Sequence, residues 1–152
     1  MLIGLLSALV ALAAGRDAGQ TVVGYHIANW NIQITTDRLT GWRACRLARG
    51  GAIYGPDYVT FQFAKSIDTY AAVYKVDDGS PKVAIEPVED VETLQMARLE
   101  NPSMGRVRIP VAEVMGADRI AIRPNTRRQV AIFKLAGLED AVAFAKNQGC
   151  TE

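Results

Sequence analysis

Apolar and polar positions alternate with a period of two over several short stretches of this chain, the pattern of strands that bury one face. Trp30, Ile32 and Ile34 alternate with Asn31, Gln33 and Thr35. A turn follows through Asp37 to Gly41. Trp42 to Ala48 then reads as a second strand, with Cys45 and Leu47 facing one way and Arg46 the other, so the two form a hairpin. Gly50-Gly51 and Gly55-Pro56-Asp57 break the chain after it. Val59, Phe61 and Phe63 alternate with Thr60, Gln62 and Ala64, and the run Tyr70 to Val76 is rich in aromatic and β-branched residues. Asp77-Asp78-Gly79-Ser80-Pro81 is strong turn chemistry, which predicts that Lys82 to Val88 pairs back on that run.

Further along, Val91, Leu94, Met96 and Leu99 fit either a short helix or a bent strand. Ile109-Pro110 leads into a short helix from Val111 to Met115, ended by Gly116. Ile120 and Ile122 alternate with arginines, Pro124-Asn125 turns, and Gln129 to Leu135 is a last strand. Leu138, Ala141, Val142 and Ala145 then form one stripe of a closing helix from about Leu138 to Gln148, with Glu139 and Asp140 in its first turn and Lys146 in its last. The expected fold class is mainly β (α+β), an antiparallel β-sandwich or sheet with the C-terminal helix packed against it.

The first 14 residues change the picture, because Met1 to Ala14 is apolar and uncharged and Ala11-Leu12-Ala13 has the small-x-small form of a cleavage site. We expect a signal peptide over 1–13, a flexible spacer over 14–20 and a single β-rich domain over 21–152, located in the periplasm or secreted. Two cysteines, Cys45 and Cys150, suit an oxidising compartment, where an even count usually means a bridge; two unrelated thiols are the alternative. At 49% hydrophobic and 22% charged the chain is composed like a folded domain. Its 17 Lys and Arg nearly balance 16 Asp and Glu, so no global field draws it to nucleic acid or an anionic membrane, and a charge-driven partner must meet a local patch.

The candidate chemistry is sparse. His26 is the one histidine, which removes most catalytic triads; a Cys45–His26 pair would need Cys45 to be unbridged. Three Cys and His residues are too few for a structural zinc site, and neither Asp77-Asp78 nor Glu86 to Glu92 has the ligand spacing of a calcium loop. No phosphate-binding glycine motif is present, and no cofactor is implied. Arginine density stands out: Arg38, Arg43, Arg46 and Arg49 in the first hairpin form a candidate anion or partner patch, with Arg119, Arg123, Arg127 and Arg128 around the late turn.

Trp30-Asn31-Ile32, followed after a polar loop by Cys45-Arg46-Leu47, and Phe133-Lys134-Leu135-Ala136-Gly137-Leu138 leading into an alanine-rich helix, resemble the invasion-associated locus B family and related periplasmic proteins. That resemblance covers the chain from about residue 28 onward. It implies an exported, non-catalytic, β-rich protein tied to the envelope or to host contact, and supplies no active site. The expected function is therefore an exported binding or envelope-interaction module. Its partner would be a protein or another envelope component, with no nucleic acid and no stable membrane span after signal cleavage. The alternatives are an inhibitor that plugs a partner hydrolase with an exposed loop such as Gly50 to Asp57, or a small hydrolase using Cys45 or two carboxylates of the acidic cluster Glu86, Glu89, Asp90 and Glu92.

Overall fold

The computed structural model describes residues 19–84, 105–124 and 129–150. Its first sheet has six strands in the order β1 (Gln20–Ile27), β2 (Trp30–Asp37), β3 (Arg43–Arg49), β4 (Ala52–Tyr54), β5 (Tyr58–Gln62) and β8 (Arg106–Pro110). The second has four, ordered β10 (Ala131–Lys134), β9 (Arg119–Arg123), β6 (Val73–Val76) and β7 (Lys82–Val83). All pairings are antiparallel, and two helices, α1 (Val111–Val114) and α2 (Leu138–Asn147), complete the described residues. The fold is thus the β-rich α+β class expected.

The alternation in β2 sets the inside of the first sheet, because Trp30, Ile32 and Ile34 are all buried. Cross-strand register carries that face onward: Ile32 opposes Leu47, Ala52 opposes Phe61, and Phe61 opposes Val107. Two different layers cover it. Over β5 lies the second sheet, where Phe133 of β10 meets Phe61 with ring centroids 5.0 Å apart and Phe63 at 5.6 Å. Over β1 to β3 lies α2, whose Leu138, Ala141, Val142 and Ala145 are buried and whose Phe144 packs on Tyr25 with centroids 4.9 Å apart. The two layers share one continuous apolar core.

Tight two-residue turns fix the register of the first sheet. Gly50 and Gly51, both at positive φ, join β3 to β4 as a primed hairpin turn that only glycine adopts freely. Ala28 and Asn29, at φ 48° and 68°, join β1 to β2 in the same way, although alanine is strained there.

Several expectations need correction. Gly50 to Asp57 is not an exposed loop: β4 occupies its middle as an internal strand, and Ala52 is fully buried. The strand expected over Tyr70 to Val76 begins only at Val73, with Ala71 in a positive-φ turn. Trp42 lies outside β3, and Gln20, placed in the spacer, is the first residue of β1. The pairing of Lys82 with the preceding strand, the short helix after Pro110 and the closing helix are as expected. The signal peptide, the open segment from Glu89 to Asn101, Glu86 to Glu92, and Arg127 and Arg128 lie outside the described residues.

Candidate functional site

The arrangement around Cys45 follows from how α2 ends. Gly149, at φ 79°, reverses the chain; its N–H donates to the Lys146 carbonyl at 2.9 Å and that of Cys150 to the Ala145 carbonyl at 3.1 Å. These two bonds make a Schellman cap, which folds Cys150 back over the last helical turn. There it reaches Cys45 of β3 at disulfide distance, with Cα atoms 5.8 Å apart and 105 residues between them in sequence.

Two of the four candidate arginines serve the same attachment. Arg43 donates from its guanidinium to the Gln148 carbonyl at the C-terminal end of α2, where a cation also complements the helix dipole. Arg49 donates to the Ala136 carbonyl just before α2, at 2.6 Å. Strand β3 therefore grips α2 at both ends. The spans are compatible: ten helical residues cover about 15 Å, the accepting Ala136 and Gln148 carbonyls lie just beyond the two ends, and six strand steps from Arg43 to Arg49 cover about 20 Å. Arg43, Cys45, Leu47 and Arg49 share one face of β3, while Arg46 points out from the opposite face and is exposed. Arg38 lies in the β2–β3 loop, where its Nε donates to Thr21 Oγ1 at 2.8 Å. The four are thus divided among a clasp, an open sheet face and a loop.

Beside the bridge, Leu47, Tyr54, Pro56, Val142 and the two cysteines line a shallow, mostly apolar groove of about 90 Å³. Cys45 and His26 are not brought together. His26 lies on the outward face of β1 and its Nδ1 bonds Asn31 Oδ1 at 3.0 Å, whereas Cys45 faces α2 three register pairs away. The Asp77 carboxylate accepts the backbone N–H groups of Asp118 and Arg119, and Asp78 pairs with Arg119 at 3.4 Å, so this turn ties β6 to β9. No group of metal-ligating side chains occurs among the described residues.

One polar network spans the second sheet and α1. Tyr74 Oη donates to Glu113 Oε2 at 2.7 Å, and Lys82 Nζ reaches the same oxygen at 2.7 Å. Burial, then the Glu113 carboxylate, pushes the Tyr74 hydroxyl up to about 12. The hydrogen bonds from Lys82 and then Tyr74 hold the Glu113 carboxyl below its ordinary range.

The pattern of alternation gave no notice of the β2–β3 loop, where Leu39 is 94% exposed and Trp42 62%. Its backbone is nevertheless pinned. The Asp37 carboxylate accepts the N–H groups of Leu39 and Thr40, each at 2.8 Å, which lowers its pKa, the Thr40 bond contributing most. Gly41 N–H donates to the Asp37 carbonyl, and Asp37 N–H to the Trp42 carbonyl, both at 2.8 Å. The loop's signal in the sequence was the Asp37 to Gly41 turn chemistry itself; nothing there separates a display loop from an ordinary one.

No family model, curated protein or solved structure matches this chain.

Proposed function

We propose that this protein is an exported, non-catalytic binding module of the cell envelope or the secreted space. The observation that carries the reading is the approach of Cys45 to Cys150, since a staple between an inner strand and the chain's last helix persists in an oxidising compartment and is lost in a reducing one. The apolar, uncharged Met1 to Ala14 supports the same compartment, as does the resemblance to the locus B family. Among the described residues no helix is long and apolar enough to cross a membrane. Cys45 beside Cys150 offers no free thiolate for a hydrolase that uses Cys45, and the inhibitor alternative loses its proposed loop to β4.

Fractionation of cells expressing the tagged full-length chain tests the compartment. A pool that follows periplasmic or secreted markers supports the reading, and one confined to the cytosol overturns it. Binding through the outward sheet face is tested by Arg46→Ala, which should weaken crosslinking to an envelope component without lowering the melting temperature.

A further inference from the structure

We propose that the β2–β3 loop, Asp37 to Trp42, is an interfacial docking element that seats this end of the molecule on an anionic lipid bilayer. This rests on the envelope reading above and names the component. Leu39 is the most exposed large apolar side chain among the described residues, and Trp42 stands exposed three positions on. Leaving a leucine and a tryptophan in water forgoes burial that either would gain inside a protein. A tryptophan is well suited to the headgroup region, where its apolar ring and its N–H both find partners.

Two further observations favour a lipid surface. First, the loop is already ordered by the Asp37 carboxylate, the Gly41 N–H bond and the pairing of Asp37 with Trp42, so seating Leu39 costs little additional ordering. Second, Arg38 and Arg43 flank it and outnumber Asp37; their described bonds go to neutral oxygens, of Thr21 and of the Gln148 backbone, which leaves both charges available to lipid phosphates.

The two tryptophans give the test a clean readout, because Trp30 is fully buried while Trp42 is exposed. Purified mature protein is titrated with vesicles of phosphatidylcholine alone or mixed with phosphatidylglycerol, following tryptophan emission and co-sedimentation. The expected result is a blue shift and co-sedimentation with the anionic vesicles, weakening as salt is raised. Leu39→Asp should weaken binding by at least about tenfold with an unchanged melting temperature, and Leu39→Met should restore it. Ile132→Asp, which alters an apolar residue on the second sheet about as exposed as Trp42, should bind as the parent does. Absence of a blue shift with anionic vesicles overturns the assignment. So does equal loss in Ile132→Asp, or a Leu39-dependent dimer that ignores vesicles. An exported protein that fails to bind vesicles refutes the loop assignment alone, whereas a cytosolic one that binds them refutes only the export reading.

Discussion

Replacing both cysteines, Cys45→Ala with Cys150→Ala, should lower the melting temperature by roughly 10 to 20 °C while leaving the folded far-ultraviolet spectrum unchanged. The link spans 105 residues. In the chain-entropy description, closing a loop of that length removes about 16 cal/mol/K from the unfolded ensemble, or roughly 4.8 kcal/mol at 25 °C. A domain of this size loses about 2 to 4 °C per kcal/mol, which gives the stated range. The Arg43 and Arg49 bonds to the two ends of α2 remain in the variant, so the helix should stay docked and the loss should fall on the unfolded side of the equilibrium. Thermal scans of the oxidised parent, the reduced parent and the double variant, followed by circular dichroism, separate these contributions. The reduced parent and the variant should melt together. A shift below about 3 °C would refute the reasoning, since the staple would then not be constraining the unfolded chain.

Four other expectations follow from particular contacts. Tyr74 has its pKa raised from 10.0 to about 12, so its neutral form favours the fold; stability should hold below about pH 10, fall as pH rises toward 12, and lose that step in Tyr74→Phe, as read by urea titration. Glu113 is shifted the other way: its contribution is present above the ordinary carboxylate pKa and fades as pH falls through its lowered one. Because Lys82 and Glu113 are partly exposed, Glu113→Gln should cost under about 1 kcal/mol at neutral pH. Gly137→Ala places a Cβ 2.5 Å from that of Ala28 and 2.6 Å from its carbonyl oxygen, at φ 84°, and should destabilise by about 2 kcal/mol or more in chemical denaturation. Arg43→Ala should cost about 1 kcal/mol and Arg46→Ala within about 0.5, a contrast that checks the division of the arginines.

The strands with one clean face were legible from alternation alone. Trp30, Ile32 and Ile34 mark their strand unambiguously, and the side assignments of Cys45, Leu47 and Arg46 hold because a two-residue period leaves no freedom once the register is known. Strand β1 carries no such period. In Val22-Val23-Gly24 two apolar residues adjoin and a glycine follows, because Val22 lies on the open face at an edge of the sheet where no core demands alternation. Strand β8 carries a plain Arg106-Val107-Arg108-Ile109 alternation, cut short at Pro110 by the helix that follows. Three residues between two glycine turns, as in β4, fall below any periodic signal.

For the candidate site, sequence identified both cysteines and the four arginines but not their division. The roles of Arg43 and Arg49 depend on carbonyls that become available only where α2 begins and ends, more than 80 residues away. Leu39 illustrates the opposite limit. One apolar residue in a polar turn has no period, so its exposure emerges only once Asp37 has folded the loop beneath it.

The intact mass of the protein isolated from cells, measured with and without reduction and alkylation, tests the central claim most directly. The account predicts a chain beginning near Ala14 and about two mass units lighter than its dithiol form, with Cys45 and Cys150 both resistant to alkylation until reduced. An unprocessed chain with both cysteines freely alkylated would contradict export and the staple together.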